Sequence, residues 1–333
     1  MVDFDFQEER IKKEIERLGA KWVLLQMPQG LKQDAIKIAC VVEQSGAVAI
    51  ISSDPCYGAC DIAYAEAEAL GVDLVVHFGH TKMVEYKKIP ILYIDAHVHI
   101  QIESSIKQAL PLLADYHSIG LATSIQHLNT LNQAKQLIVA AKKTVQIGNA
   151  DRLLHSGQIL GCNYSNATII ADKVDAFLFI GGGIFHALGI AIGTGKQTII
   201  ADPYDNRAYN ITAEAQRLLK QRYASIQEAN GAKTFGILIG LKPGQKHLER
   251  ALEAKVVAEK TGRTAYLLAG REITPDVLME FPNIGAYVNT ACPRISLDAP
   301  EKFQKPILTI NEFRVLCGEV SWSEMIKKGL FES

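Results

Sequence analysis

Six cysteines are the residues of this 333-residue chain best suited to chemistry: Cys40, Cys56, Cys60, Cys162, Cys292 and Cys317. Three of them stand in segments built like exposed turns, SDPCYGACD (Cys60), LGCNYS (Cys162) and NTACPRIS (Cys292), where Gly, Pro, Asp and Asn surround the thiol. Cys40 sits inside the apolar run AIKIACVV and is assigned to a helix core; Cys317, in FRVLCGEV, is read the same way. Thiolate is the usual ligand of iron–sulfur clusters, and three thiolates suit a [4Fe–4S] cluster with one iron open to a substrate. The alternative is three unrelated buried cysteines, since cysteine is among the most buried residue types. Spacing alone favours that alternative, and the turn-like contexts weigh against it. A zinc site is disfavoured, because there is no CxxC pair and no close Cys/His set of the structural-zinc kind. Cys56 and Cys60 have three residues between them, and Cys56 is read as an incidental neighbour, with a spare ligand as the other reading.

The background composition is that of a globular protein with ample core, 48% hydrophobic and 21% charged. A net charge of −1 provides no global basic field for nucleic acid. The opening MVDFDFQEER lacks the apolar stretch of a signal peptide, and no apolar run reaches the ~18 residues of a membrane span. The expectation is a cytosolic protein with reduced thiols, so the even cysteine count is not read as disulfides.

Short apolar runs must position these residues. Trp22–Met27, Ala47–Ser52, Val72–Phe78 and Ile91–Ala96 read as buried strands, continuous and rich in β-branched residues. KQDAIKIACVVEQSG lies between the first two and has helical spacing. The pattern restarts with His117–Ser124, Thr144–Gly148, Asp175–Gly183 and Gln197–Tyr204, with NQAKQLIVAAKK as its helix. It restarts again with Thr234–Gly240, the helix KHLERALEAKVVAEKTG, Thr264–Gly270, Asn283–Ala291 and Lys305–Ile310. A helix over Ile211–Gly231 leads into the third set, and SWSEMIKKGLF closes the chain. The fold class is therefore α/β: three similar domains, 1–104, 105–210 and 211–333, each a small four-stranded, mostly parallel sheet flanked by helices. Cys60 and Cys162 follow the second strand of their repeats and Cys292 follows the third strand of its own. Ligands collect beyond the carboxyl ends of parallel strands, so three such domains around a central site would gather three distant thiols.

Other motifs are weaker. Gly181, Gly182 and Gly183 follow a strand and precede the helix IFHALGIAI; exposed N–H groups there suit an anion, although the full GxGxxG pattern fails at His186. A tight turn is an equally good reading. Gln29, Gln126 and Lys242 lie after the first strand of each repeat and are candidate ligand contacts, with turn-making as the plainer alternative. Lys242 and Arg294 could pair with a carboxylate by charge. His97 and His99, in DAHVHI, are read as structural residues.

SDPCYGACD, LGCNYS, GGGIFHALGIAI followed by DPY, and NTACPRIS resemble the archaeal diphthamide synthase family that makes 2-(3-amino-3-carboxypropyl)histidine. The likeness spans nearly the whole chain. It implies a homodimer of three-domain chains, each with a [4Fe–4S] cluster on Cys60, Cys162 and Cys292. It also implies S-adenosylmethionine and a histidine of translation elongation factor 2 as substrates, together with an electron donor. The chemistry implied is transfer of the aminocarboxypropyl group as a radical to C2 of the imidazole, mediated by the cluster, so no catalytic side chain is singled out. The CxxxCxxC signature of ordinary radical enzymes of this cofactor is absent as a motif. Two other functional readings are a cluster-bearing dehydratase like quinolinate synthase and a non-catalytic scaffold for a structural cluster.

Overall fold

The structure is a computed structural model in which residues 3–150, 155–328 and 330 are described. All twelve strands expected from the sequence form. In chain order the strands are β1 (Asp3–Asp5), β2 (Trp22–Gln26), β3 (Val48–Ile51), β4 (Leu74–Phe78), β5 (Ile91–Ile94), β6 (His97–His99), β7 (Ser118–Thr123) and β8 (Thr144–Ile147). They continue with β9 (Ala176–Ile180), β10 (Gln197–Asp202), β11 (Arg207–Asn210), β12 (Thr234–Gly240), β13 (Thr264–Gly270), β14 (Ala286–Asn289) and β15 (Ile307–Thr309). The first sheet has the order β3-β2-β4-β5, the second β8-β7-β9-β10-β11 and the third β13-β12-β14-β15. In each sheet the first strand lies between the second and third, and every pairing within these four-strand sets is parallel. That order places a switch point between the first and third strands, where ligands of open α/β sheets bind.

Two features go beyond the expected plan. β11 adds an antiparallel fifth strand to the second sheet, and β1 pairs antiparallel with β6. His97 and His99 lie on β6, and His97 Nδ1 is 3.0 Å from the Ile125 carbonyl oxygen, a structural contact. The expected helices form as Ala35–Gln44, Leu131–Ala140, Thr212–Ala229, Leu248–Lys260 and Trp322–Lys328; the end of the last expected segment lies outside the described residues.

One assignment changes. Cys40 is exposed, not in a core. In the helix Ala35–Gln44 the buried positions are Ala35, Ile38, Ala39, Val41 and Val42. Cys40 falls one turn after Ile36, itself 68% exposed, so the 3.6-residue period carries it to the solvent side of an almost wholly apolar stretch. Cys317 caps the helix Ile310–Leu316 and packs, half-buried, against the third sheet's core.

The chain divides into two compact units. The first holds residues up to Gln101, plus Ile125–Asn129 and Lys242–Gly244; the second holds Ile102–Ser124, Thr130–Leu241 and the chain from Gln245 onward. In the first, the helix Glu8–Leu18 puts Ile11 and Ile15 onto a core with Val23, Leu25, Ile38, Val76 and Phe78. The second contains a fully buried ion pair. Arg222 forks onto Glu312 at 2.7 and 2.6 Å, and its remaining donors reach the Ser296 and Ile307 carbonyls at 2.7 Å. Glu312 also closes a capping box with Thr309. Every polar atom of the fork has a partner, which is what makes burial of both charges tolerable. Among the described residues, no helix is long and apolar enough to cross a membrane.

Candidate active site

Each of the three candidate cysteines sits in a hydrogen-bonded turn that follows a strand of its sheet. All six cysteines are thiols, not disulfides, and Cys60, Cys162 and Cys292 are each partly exposed.

Cys60 belongs to the first unit. Asp61 N–H donates to the Gly58 carbonyl at 2.9 Å, so Cys60 occupies the third position of a tight turn. Gly244 lies against this turn: its N–H donates to the Cys60 carbonyl at 2.8 Å. A Cβ on Gly244 would stand 2.6 Å from Cys60 Cα and 2.7 Å from its Cβ, so only glycine allows this approach. Lys242, two residues earlier, is buried; its ammonium lies 3.2 Å from Asp61 Oδ2 and 4.2 Å from the Tyr57 ring centre. Gln26, at the end of β2, donates to the Asp61 carbonyl at 2.6 Å and accepts from Ala63 N–H at 3.0 Å. The loop is thus tied at the carbonyl of Cys60 and at Asp61 and Ala63 just after it.

Cys162 and Cys292 belong to the second unit. Leu160 and Asn163 exchange backbone hydrogen bonds of 2.9 and 3.2 Å, presenting Gly161 and Cys162 at the tip of a two-residue turn. Asn166, buried just beyond it, accepts from Ala150 N–H and donates to the His155 and Gln158 carbonyls at 3.0 and 2.9 Å, anchoring the approach to the turn. The Asn289 side chain accepts from Ala291 N–H at 2.9 Å and donates to the Cys292 carbonyl at 2.8 Å. Phe185 joins the two loops. A Cβ on Gly161 would meet its ring at 1.8 Å, and the Arg294 guanidinium lies 4.7 Å from the same ring centre. Arg294 is also paired with Asp298 at 2.5 Å.

Gly181, Gly182 and Gly183 connect β9 to the helix Phe185–Thr194. Gly181 N–H donates to the Ala201 carbonyl at 3.1 Å, and Gly183 has φ 77°, a left-handed conformation suited to glycine. Gly182 is exposed, and a Cβ there would touch the Tyr204 ring at 3.0 Å. His186 stacks on Phe179, and burial, with Arg294 nearby, pulls its pKa down to about 4. The segments after the first strands all open as 3₁₀ turns: Gln29–Asp34, Ile125–Thr130 and Pro243–Gln245. Gln29 is exposed; Gln126 donates to the Gly79 carbonyl at 2.7 Å.

The sequence reading found no close Cys/His set, and the structure corrects this. Cys56, His77 and His80 bring one donor atom each within 4.8 Å of one another in the first unit. Nothing in their spacing showed it: parallel register sets His77, at the end of β4, beside Gln26 and Tyr93, and Cys56 arrives from the loop after β3. Burial holds His77 neutral, its pKa well below the usual range, with His80 adding to the effect. Burial, then the Asp61 charge, pushes the Cys56 thiol up to about 12.

These loops sit on a fold that known proteins share. A family model described as diphthamide synthesis protein matches residues 27–327. The chain belongs to the diphthamide synthesis protein family. It is 34% identical over 94% of its length to the 2-(3-amino-3-carboxypropyl)histidine synthase of Pyrococcus horikoshii, of which it covers 91%. It is 31% identical to subunit 1 of the synthase of that name from Gallus gallus, over 97% of this chain and 79% of the relative. The crystal structure of Dph2 from Pyrococcus horikoshii with a 4Fe-4S cluster superposes with a TM-score of 0.89 at 34% identity, covering 96% of this chain and 93% of that one.

Proposed function

We propose that this chain transfers the 3-amino-3-carboxypropyl group of S-adenosylmethionine to C2 of a histidine in translation elongation factor 2, the first step of diphthamide synthesis. The observation that carries the reading is three partly exposed thiols, each at a hydrogen-bonded turn after a strand, in a chain of this family. That donor set fits a [4Fe–4S] cluster bound by Cys60, Cys162 and Cys292, leaving one iron without a cysteine. When bound, the cluster supplies one electron to the sulfonium and so a route to a radical aminocarboxypropyl group, with methylthioadenosine as the other product.

The chain's own residues then bind and orient. Lys242 and Gly244 hold the Cys60 turn in place through Asp61 and the Cys60 carbonyl. Phe185 sets the Cys162 turn against the segment that carries Cys292 and Arg294. In the Gly181–Gly183 loop, Gly182 and Gly183 offer backbone N–H groups at the start of a ten-residue helix, where a carboxylate is stabilised. We assign it the amino-acid end of S-adenosylmethionine, with the exposed Gln29 amide as a further contact. Rigid positioning decides which of the three C–S bonds is cut. The repeats 1–104, 105–210 and 211–333 are proposed as three versions of one unit, a reading supported by their common strand order. A homodimer, a separate electron donor and a cytoplasmic location complete the proposal.

The test is an oxygen-free incubation with S-adenosylmethionine, dithionite and elongation factor 2. Methylthioadenosine, formed only with reductant, and a histidine heavier by one aminocarboxypropyl group are expected. Stoichiometric 5′-deoxyadenosine, or a methyl group on the histidine, would overturn the mechanism.

A further inference from the structure

Beside the Cys60 turn lies a second set of donors that the proposed reaction does not use. His77, fully buried at the end of β4, has its Nδ1 2.9 Å from Gln26 Oε1. Gln26 Oε1 already accepts from Ala63 N–H, so it acts as an acceptor and fixes the proton of His77 on Nδ1. Nε2 is thereby left with its lone pair, and His80 Nδ1 lies 3.0 Å from it. The Cys56 sulfur completes the group, with all three donors within 4.8 Å of one another.

We propose that Cys56, His77 and His80 form a site for a divalent cation of the zinc class, separate from the thiols assigned to the cluster. Three features of the geometry carry this. Tetrahedral bonds of about 2.3 Å to sulfur and 2.0–2.1 Å to nitrogen place donors roughly 3.3–3.6 Å apart. The two imidazoles start at 3.0 Å, so side-chain rotations of about 1 Å or less bring the set to that spacing. A metal-bound histidine usually donates its other N–H to a fixed acceptor, and Gln26, itself held through Ala63 and Asp61, is such an acceptor. One thiolate with two imidazoles is a donor set for zinc, whereas calcium and magnesium take oxygen. The Tyr93 hydroxyl, in register with His77 and with its ring edge-on to it, is buried without a hydrogen-bond partner among the described residues.

Binding would form a Cys56 S–metal bond and release the thiol proton to solvent. Three protein ligands leave a fourth position for water. The cation would fasten the loop that leads into Cys60 to the end of β4, independently of Lys242. The inference does not rest on the cluster reading.

The experiment uses the full chain, purified without oxygen, dialysed against Zn²⁺ and then against metal-free buffer. Zinc and iron are counted by mass spectrometry, and the zinc is examined by X-ray absorption at its own edge. About one zinc per chain is expected, with one sulfur near ~2.3 Å and two nitrogens near ~2.0–2.1 Å. Cys56→Ser and His80→Asn should each lower retained zinc at least tenfold and leave iron at the wild-type level. The absorption measurement on the wild type needs no variant, so misfolding of a variant cannot protect the idea. Absence of retained zinc, a zinc shell without sulfur, a shell of three sulfurs, or full zinc in Cys56→Ser would each overturn the site.

Discussion

Replacing Gly244 by alanine tests how the Cys60 turn is held. The new methyl group would stand 2.6 Å from Cys60 Cα, 2.7 Å from its Cβ and 3.2 Å from its carbonyl oxygen. Carbon atoms pack at roughly 3.5–4.0 Å, so one of the two segments must move by about 1 Å. The atoms in the way are backbone and Cβ, which cannot swing aside as a long side chain can. Overpacking of this kind costs about 1–3 kcal/mol, and loss of the Gly244 N–H to Cys60 carbonyl bond adds roughly 0.5–1.5 kcal/mol. Together they predict a destabilisation of about 2–4 kcal/mol. The functional effect should be sharper, because metal–ligand distances tolerate only about 0.2 Å. Protein purified without oxygen should carry less iron than wild type, and its urea midpoint should fall. Alanine at Gly30, where a Cβ would meet nothing within 4 Å, is the control. A Gly244→Ala variant with full iron and an unchanged midpoint would refute the account of how this turn is positioned.

Three further outcomes are expected. Cys60→Ala, Cys162→Ala and Cys292→Ala should each reduce the iron of oxygen-free preparations, while Cys40→Ala, at an exposed position, should change neither iron nor midpoint; full iron in all three single variants would remove the ligand assignment. Glu312→Gln should cost about 3–5 kcal/mol by leaving buried Arg222 without its counter-charge, and urea denaturation reads the loss; an unchanged midpoint would count against the buried pair. Burial holds the pKa of His127 at about 4 against 6.5 when exposed, so its protonation favours the unfolded chain. Its stabilising effect is complete above 6.5 and is lost as pH falls towards 4, by about 2 kcal/mol between pH 7 and 5; His127→Gln should flatten that part of the midpoint-against-pH curve, and an unchanged slope would count against the assignment.

The sheets were legible because fully buried parallel strands announce themselves as continuous apolar runs, as in Leu74–Phe78. β11 was not, since RAYN is short, polar and half-exposed, and it is held by pairing with β10 and not by its own hydrophobicity. β1 and β6 have three residues each, too few for a period to show. The turn character around Cys60, Cys162 and Cys292 was visible in Gly, Pro, Asp and Asn, but the groups that hold those turns were not. Lys242 and Gly244 reach Cys60 across most of the chain's length, and Phe185 reaches Gly161 and Arg294 from a helix start that looked like an ordinary apolar segment. Cys40 was misplaced because seven of the first eight residues of its helix are apolar, so composition hides which face is inward. His77 sat inside a strand-like run, and its relation to Cys56 and His80 depends on register, which composition does not encode.

The seating of Gly244 against Cys60 also sets a timetable for synthesis. The first sheet is finished once Ile94 has been made, yet the turn carrying Cys60 lacks one of its two braces until Lys242 and Gly244 emerge. At roughly 5–20 residues per second that interval lasts about 8–30 s. For that time the Cys60 turn would have the Gln26 tie without the Lys242 and Gly244 contacts. For the cluster proposed above, chain order would favour loading of iron and sulfide after Gly244 has emerged.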